Sequence, residues 1–307
     1  MKKPLIILSG PTAVGKTQSS LILAKELGGE IISADSMQIY KYMNIGTAKI
    51  LPDEMCNITH HLVDELYPDE EFNVMRFKEM AVNAMKGIYE RGHIPIIVGG
   101  TGFYIQSVLY DIKFEKEEKS EIRQALEKIA SKENGTAILF EQLAMIDPNA
   151  AKKLHPNNVK RVIRALEFNK LTGKLMSEHN EEESKKESPY DYLYFVLYDD
   201  RNLIYERINK RVDLMVNEGL VEEVKSLLNM GYNKELVSMQ GLGYKEIIEY
   251  LEGSISLYDA IYKIKRDTRH FAKRQITWFK REPEAIWIKK DKDSILQIIE
   301  KVKEKYD

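Results

Sequence analysis

Short apolar runs bounded by glycine alternate with amphipathic stretches over the first hundred residues. Residues 5–8 are four consecutive apolar residues followed by Ser-Gly, a pattern typical of a buried parallel strand. Residues 16–27 carry apolar side chains at helical spacing, and two glycines then end the segment as at a helix C-terminus. The same patterns predict a helix at residues 77–91 and four more strands, at residues 30–34, 94–98, 192–198 and 285–288.

The alternation of strands and helices indicates an α/β fold, in which a mostly parallel sheet has helices on both faces. About 95 residues separate the third and fourth predicted strands, which is too many for an ordinary crossover. Residues 114–188 are charged and helix-forming, with no strand pattern, so they predict an inserted all-helical subdomain. The core would consist of residues 1–113 and 189–307, and its C-terminal region, residues 245–281, is again mostly helical.

The segment after the first predicted strand matches the phosphate-binding motif G-x-x-x-x-G-K-[ST] completely. Because it lies between a strand and a helix, it predicts a P-loop NTPase-like sheet whose loop binds phosphate through backbone N–H groups and the helix N-terminus. Lys16 would reach the phosphate chain, and Thr17 could ligate Mg²⁺. The motif predicts a pyrophosphate site without specifying the molecule that carries it. Its residues are Gly10, Pro11, Thr12, Ala13, Val14, Gly15, Lys16 and Thr17.

Polar residues follow the second and third predicted strands. Asp35 comes after the second strand, and its carboxylate is expected in the ligand crevice at the carboxyl edge of the sheet. It could hold Mg²⁺, act as a general base, or cap the next helix. Thr101 follows two glycines after the third strand, where either a ligand approaches closely or the chain makes a tight strand–helix turn.

Charge is distributed unevenly along the chain. The formal net charge of −2 would argue against a nucleic-acid partner. Residues 152–174, however, contain seven basic residues and one acidic residue, and residues 259–281 contain eight basic and two acidic residues. The remainder therefore carries −14, so the chain is an acidic body with two basic patches.

The single cysteine, Cys56, excludes an intrachain disulfide framework and a cysteine-rich zinc site. The apolar runs are too short to span a bilayer, and the N-terminal residues do not resemble a signal peptide. These features predict a cytoplasmic protein with no membrane segment. We interpret the neighbouring His60 and His61 as structural residues.

Taken together, the motifs resemble the bacterial tRNA dimethylallyltransferase family, also called tRNA isopentenyltransferases. The resemblance runs in order through nearly the whole chain. Eukaryotic members append a Cys/His zinc finger, and a chain with one cysteine therefore resembles the bacterial members. The matching segments are GPTAVGKT at 10–17, ISADSMQIY at 32–40, IGTAK at 45–49, HHLVD at 60–64, VGGTGFYI at 98–105, KRVIRALE at 160–167, RINKRVDLM at 207–215, QGLGYKE at 240–246 and TRHFAKRQITWFKR at 268–281.

The resemblance implies transfer of a dimethylallyl group from dimethylallyl pyrophosphate to N6 of the adenine that lies 3′-adjacent to the anticodon of tRNA, with release of pyrophosphate. It implies that Asp35 is the general base and that Thr101 contacts the acceptor base and bound phosphate. Arg211 would bind the leaving pyrophosphate together with Lys16, and Thr17 would bind the cofactor Mg²⁺. The implied partner is the tRNA anticodon stem-loop, bound by a monomer.

The two basic patches are expected to contact that stem-loop from two sides, the basic side chains facing out and the interleaved apolar ones packing on the protein. Gln38 could recognise the acceptor adenine through its amide, or could instead bond to nearby backbone. The residues expected to contact tRNA are Asp35, Ser36, Met37, Gln38, Thr101, Arg123, Val159, Lys160, Arg161, Val162, Ile163, Arg164, Gln240, Gly241 and Lys245.

Three other functions remain compatible with the phosphate-binding motif. A small-molecule kinase would use it for ATP, but would leave both basic patches unexplained. A related prenyltransferase would modify free AMP or ATP rather than tRNA. An RNA-binding protein switched by a nucleotide would need no base at Asp35.

Overall fold

The computed structural model describes residues 2–114, 121–184 and 186–306. The chain divides into two compact units, Met1–Asp111 with Pro189–Asp307 and Ile112–Ser188. We call the first the core unit and the second the helical unit. Each has a hydrophobic core of its own.

The core unit contains one sheet in which every pairing between strands is parallel. The order across it is β3-β2-β4-β1-β5-β6. This confirms the predicted α/β class, and the five predicted strands lie within one or two residues of their observed bounds. The strands are β1 Lys3–Ser9, β2 Gly29–Ser33, β3 His60–His61, β4 Ile94–Gly99, β5 Tyr190–Tyr198 and β6 Ala285–Lys289.

Helices cover both faces of the sheet and make up the helical unit. The observed second helix begins three residues before its predicted start, because the Asn73 side chain accepts a hydrogen bond of 3.0 Å from the backbone N–H of Arg76 and caps it there. The helices of the described residues are α1 Lys16–Leu27, α2 Val74–Glu90, α3 Gly102–Leu109, α4 Glu121–Ala130, α5 Gly135–Ile146, α6 Pro148–Lys153, α7 Val159–Thr172, α8 Met176–Ser184, α9 Arg201–Asn217, α10 Leu220–Asn229, α11 Tyr244–Leu251, α12 Leu257–Phe279 and α13 Ser294–Tyr306.

Strand β1 shows why its sequence is apolar without alternation. Leu5 and Ile7 pack into the larger cluster, with side chains from α2, α3 and α9 to α12. Ile6 and Leu8 point to the opposite face and pack with α1 and α13. All four are fully buried. A strand buried on both faces needs apolar residues at every position, and this pattern made the strand predictable.

The two-residue strand β3 is too short to give a periodic pattern, and it was not predicted. It extends the sheet through pairing of His60 with Ile31 and of His61 with Ile32. Next to it, the buried carboxylate of Glu30 on β2 accepts two hydrogen bonds of 2.7 Å from Arg91 and lies 2.8 Å from His61 Nε2. Its contact with His93 is 2.7 Å long. His60 Nδ1 lies 2.8 Å from the carbonyl oxygen of Ile58, so His60 and His61 both make structural contacts, as the sequence predicted.

This ion cluster changes the acidity of its central group. The hydrogen bond from Arg91 is the largest cause, and with the bonds to His61 and His93 it lowers the pKa of Glu30 to about 2. The cluster links β2, β3 and the segment between α2 and β4.

Among the helices of the described residues, none is long and apolar enough to cross a membrane.

Candidate active site

The loop between β1 and α1 has the backbone geometry of a phosphate cradle. Gly10 and Gly15 have φ values of 147° and 98°, which only glycine adopts readily, and Ala13 has a φ of 62°. A Cβ at Gly10 would lie 2.5 Å from the carbonyl oxygen of Leu197 on β5. Glycine is therefore required at this position both for its φ and for the close approach of the neighbouring strand.

Lys16 folds back over the loop that precedes it. Its Nζ donates hydrogen bonds to the carbonyl oxygens of Gly10 at 2.9 Å and Pro11 at 2.8 Å. Burial, with a further contribution from Arg211, lowers the pKa of Lys16 to about 7, whereas Asp35 acts in the opposite direction. The charged form of Lys16 is thus disfavoured in this structure, and an anion bound at the loop would stabilise it.

Arg211 and Asp35 belong to the same electrostatic group as Lys16. Burial lowers the pKa of Arg211 below its ordinary value, and the charge of Asp35 opposes this shift. Asp35 Oδ1 accepts a hydrogen bond of 2.9 Å from the backbone N–H of Met37. The carboxylate therefore holds a turn rather than a helix N-terminus, and its negative charge opposes the positive charges of the partly buried Lys16 and Arg211.

Helix α9 places Arg211 through packing against the phosphate loop. Ala13, at the tip of the loop, packs with Ile204 and Ile208 of α9 and with Ala272 of α12. Arg211 follows Ile208 by three residues, so it lies about one turn further along the same side of the helix. Two apolar contacts thereby set the position of a charged group.

The ends of β2 and β4 are held together, and this brings Asp35 and Thr101 to one edge of the sheet. The N–H of Ala34 donates to the carbonyl of Val98 at 2.8 Å, and that of Thr101 donates to the carbonyl of Ala34 at 3.3 Å. Thr101 precedes α3, but its hydroxyl makes no capping hydrogen bond to that helix. Its side chain is partly exposed at the carboxyl edge of the sheet.

The glycines around Thr101 accommodate protein groups. A Cβ at Gly99 would collide with the backbone of Ala34. At Gly100 it would collide with the Gln275 side chain, and at Gly102 with the indole of Trp278. The ligand approach that the sequence suggested is thus not the reason for these glycines, since Ala34, which follows β2, and side chains of helix α12 fill the space.

Gln38 adopts the second of its two sequence-based alternatives. Its Nε2 donates to the carbonyl oxygens of Thr47 at 3.3 Å and Ala48 at 3.2 Å. Its Oε1 accepts from the Ser33 hydroxyl at 3.3 Å. The amide therefore links the segment after β2 to the loop at residues 45–49.

The segment before α11 meets the segment after β2. A Cβ at Gly241 would collide with Met37, so Gly241 and Met37 are close neighbours. Gln240 is exposed and its Nε2 donates to the carbonyl of Lys234. Lys245 Nζ lies 3.6 Å from Glu246 Oε1. Within the core unit the structure thus brings together the expected sites at residues 10–17, 35–38, 101 and 211, and it places Gly241 beside Met37.

The helical unit contains the remaining residues expected to contact tRNA. Lys160, Arg161 and Arg164 are exposed on α7. Val162 and Ile163 are 1% and 6% exposed and belong to the core of the unit. Their side chains are unavailable to RNA, which corrects the expectation for these two positions.

Two further positions on this list are also tied to the helical unit. Val159 packs partly buried against the same core. Arg123 Nη2 lies 2.7 Å from the buried carboxylate of Glu167, so Arg123 joins α4 to α7. The exposed basic residues of α7 are therefore Lys160, Arg161 and Arg164 in its first half and Lys170 in its last turn.

Helix α12 carries the second basic patch, and its two halves differ. In the N-terminal half, Lys263 pairs with Glu249 at 2.7 Å and Lys265 pairs with Asp213 at 2.5 Å. In the C-terminal half, Lys273 is exposed, and Arg274 is exposed with its guanidinium over the Phe271 ring. Among the described residues neither of these two cations forms an ion pair with a carboxylate, so the C-terminal half is the cationic surface of the helix.

Two residues at the site were not predicted from the sequence, Lys290 and Gln275. Lys290 follows β6, and its Cε would lie 3.3 Å from a Cβ at Gly15, so the side chain passes along the phosphate loop. The rule that selects residues at strand carboxyl ends could have found it. Gln275 contacts the loop from α12, and a buried amide in a basic helix gives no sequence signal.

The oxygen donors of the site fit a Mg²⁺ ion shared with a phosphate ligand. Thr17 is exposed on the first turn of α1, and its hydroxyl can supply one ligand. Mg²⁺ prefers oxygen ligands and is usually bound through few protein groups, with phosphate and water completing its coordination. Among the described residues, no group of three or more His, Cys, Asp or Glu could form a self-contained metal site.

A family model described as IPP transferase matches residues 38–282 of the chain. The tRNA dimethylallyltransferase of Lachnoclostridium phytofermentans is 58% identical over 299 residues, which cover 97% of this chain and 95% of the relative.

Solved structures agree with this relationship. The full-length tRNA isopentenylpyrophosphate transferase of Bacillus halodurans is 42% identical with a TM-score of 0.75, covering 99% of this chain and 97% of that one. A eukaryotic dimethylallyltransferase whose crystal structures follow its action on tRNA is 32% identical with a TM-score of 0.81, covering 94% of this chain and 74% of that one. With the phosphate loop, Asp35, Thr101 and Arg211 gathered in such a fold, the chain belongs to the IPP transferase family.

Proposed function

We propose that this chain transfers the dimethylallyl group of dimethylallyl pyrophosphate to N6 of the adenine 3′-adjacent to the anticodon of a tRNA. The observation that carries the proposal is the electrostatic group at the carboxyl edge of the sheet. Two partly buried cations, Lys16 of the phosphate loop and Arg211, interact electrostatically there with the carboxylate of Asp35. The names of the relatives support the assignment to tRNA.

Asp35 has the chemistry required of the base. The N6 amine of adenine is a poor nucleophile because its lone pair is delocalised into the ring. As the bond from N6 to C1 of the dimethylallyl group forms, a carboxylate that accepts the N6 proton removes the positive charge from the nitrogen. A positioned base contributes about 10²–10⁴-fold in rate.

The cations would act on the leaving group. When the bond from C1 to the pyrophosphate oxygen breaks, positive charge is delocalised over the allylic carbons, and negative charge builds on the pyrophosphate. Lys16, Arg211 and the N–H groups of the loop would stabilise these oxygens. Lys290, which passes along the same loop, would add a further cation near them.

Mg²⁺ would be held by Thr17 together with the pyrophosphate, and when bound it would neutralise part of the phosphate charge. This assignment rests on the oxygen donors described above. The proton transfer assigned to Asp35 and the contacts of Lys16 and Arg211 do not depend on it.

The exposed cations of α7 and of the C-terminal half of α12 would bind phosphates of the anticodon stem-loop. The acceptor adenine is stacked in the loop, so it would have to leave the stack to reach Asp35 and Thr101. Residues 240–245 would contact the anticodon loop, because Gly241 lies beside Met37 and Met37 is two residues from Asp35. A monomer acting in the cytoplasm would meet its tRNA substrate directly.

One assay tests this proposal against its alternatives. The protein is incubated with labelled dimethylallyl pyrophosphate, Mg²⁺ and unmodified tRNA, with AMP as a competing acceptor and ATP hydrolysis measured in parallel. We expect label on the tRNA, at the adenine next to the anticodon. Label on AMP alone would assign a nucleotide prenyltransferase instead, and ATP turnover without prenyl transfer would indicate a kinase or a nucleotide switch.

A further inference from the structure

The side chain of Gln275 joins two loops of the active site. It lies on α12 and is 6% exposed. Its Oε1 accepts a hydrogen bond of 2.8 Å from the backbone N–H of Thr12 in the phosphate loop. Its Nε2 donates one of 3.0 Å to the carbonyl oxygen of Gly100, which directly precedes Thr101. Because one partner is a donor and the other an acceptor, only a side chain that has both functions satisfies them.

The bridge lies just beyond the point where the sheet stops connecting the same two segments. Strands β1 and β4 pair in parallel up to Ser9 and Gly99. Past this pair the chain turns into the phosphate loop on one side and toward Thr101 on the other. The amide of Gln275 is the connection that follows, and it is made by a residue 263 positions from Thr12 and 175 from Gly100.

Neighbouring residues of α12 hold the amide in place. Ala272 packs against Ala13 of the phosphate loop. Trp278 lies against Gly102, so closely that a Cβ there would collide with its indole. Residues 272, 275 and 278 recur every three positions and therefore share one side of the helix. This side faces the two loops, whereas Lys273 and Arg274 are exposed.

We propose that Gln275 is a positioning residue that sets the distance between the phosphate loop and Thr101, and thereby aligns the pyrophosphate donor with the acceptor amine. The inference rests on the proposed function. Gln275 acts through Thr12 and Gly100, and it contacts neither substrate. The alignment matters because a misplacement of about 1 Å costs about 10²-fold in rate.

Two variants test the bridge. Gln275→Glu keeps the shape and the acceptor for Thr12 but loses the donor for Gly100 while the carboxyl is ionised. Gln275→Leu loses both functions at similar size. Thr277→Ala on the same helix is the matched control, because Thr277 is exposed and, among the described residues, its hydroxyl donates to the carbonyl of Lys273 at 3.0 Å. Single-turnover transfer is measured with both substrates saturating, and binding of each substrate is measured separately.

For Gln275→Glu at pH 8 we expect a rate about 10–100-fold below wild type. Binding of tRNA and of dimethylallyl pyrophosphate should change less than threefold, and the thermal midpoint should stay close to that of the control. The rate relative to wild type should recover as the pH is lowered to 6, because burial raises the pKa of a carboxyl and its protonated form can again donate to Gly100. The charged groups near the two loops, Lys16, Asp35, Arg211 and Lys290, are present in both enzymes, so the ratio removes the pH dependence that the two enzymes share. Gln275→Leu should show the same deficit at every pH.

A wild-type rate in Gln275→Glu, or a loss without recovery at low pH, would overturn the positioning role. So would a loss in both variants that follows the unfolded fraction alone. If the wild-type protein transfers no label to tRNA, the proposed function fails, and inorganic pyrophosphate becomes the probe for the bridge. Gln275→Leu should then bind pyrophosphate about tenfold more weakly if the bridge orders the loop, and unchanged binding would refute it.

Discussion

Asp35 is the residue on which the electrostatics of the site depend. Lys16 and Arg211 are both buried enough for their pKa values to be lowered, and Asp35 opposes the shift in each case. The carboxylate also holds the turn at Met37. One side chain therefore combines a structural, an electrostatic and, under the proposed function, a chemical task, and substitutions can separate them.

Asp35→Asn should reduce kcat by about 10²–10⁴-fold, because an amide cannot accept the N6 proton. The amide oxygen can still accept the hydrogen bond from the Met37 N–H, so the turn should be kept. Steady-state kinetics and equilibrium binding of tRNA give the two quantities. Affinity for tRNA should change less than threefold, and an equal loss in kcat and in tRNA affinity would contradict the assignment.

Gly10→Ala should destabilise the protein by about 1–3 kcal/mol, because alanine at a φ of 147° is strained and its Cβ would lie 2.5 Å from the Leu197 carbonyl oxygen. Urea unfolding measures the loss. Gly28→Ala is the matched control, since Gly28 has a φ of 60° and nothing within 4 Å of its Cβ position. A smaller loss at Gly10 than at Gly28 would show that the close contact with β5 is unimportant.

At the scale of secondary-structure elements, runs of apolar residues long enough to be buried allowed strands to be predicted, and shorter segments did not. Residues 5–8 of β1 and 96–98 of β4 are all apolar because helices cover both faces of the sheet, and this left a clear sequence pattern. Strand β3 has two residues, which is too few for periodicity.

The candidate site was predicted in part, for a related reason. Residues at the carboxyl ends of strands could be placed by topology alone, as Asp35 and Thr101 show. The contacts of Gln38 with Thr47 and of Gln275 with Gly100 join segments whose proximity arises only from tertiary packing. No local pattern records them.

Glu30 connects several elements at once, so its removal should affect the stability of the whole core unit. Glu30→Gln should lower the free energy of unfolding by about 1.5–3 kcal/mol at pH 7, since charged hydrogen bonds to Arg91 and the two histidines are lost. Chemical denaturation at a series of pH values gives the difference between the two proteins.

The pH dependence of this difference has a defined sign. The pKa of Glu30 is about 2 in the folded protein, below its ordinary value of 4.5. The unfolded state therefore binds the proton first as the pH falls, and the stabilisation is present above pH 4.5 and lost between about 4.5 and 2. The two unfolding free energies should converge across that window. A difference that stays constant down to pH 2 would exclude the carboxylate as its source.

Across the whole molecule, acidic and basic residues are nearly equal in number but unevenly distributed. The net charge is −2, yet exposed cations are concentrated on α7 and on the C-terminal half of α12. Several basic residues of α12 are neutralised by neighbouring carboxylates, including Lys263 and Lys265. The effective cationic surface is therefore smaller than the count of basic residues suggests.

The double variant Arg161→Ala and Arg164→Ala should weaken tRNA binding and leave the transfer rate at saturating tRNA within about threefold of wild type. For each phosphate that the variant no longer neutralises, the slope of log affinity against log salt should become shallower by about 0.7–0.9. Filter binding over a salt series measures both effects. Lys301→Ala with Lys303→Ala, two exposed cations on α13, is the control that removes the same charge elsewhere. An equal loss in the control would mean that net charge alone governs binding.

The pairing of β1 with β5 has a consequence for synthesis of the chain. The two strands form seven register pairs between residues 3–9 and 190–196, and the helical unit lies between them in sequence. At about 5–20 residues per second, the ribosome delivers the second neighbour of β1 several seconds after β4, its first. During that interval β1 is an edge strand of a four-stranded half-sheet. The helical unit emerges during this interval, and its core consists of contacts that are local in sequence. It can therefore fold before β5 pairs with β1.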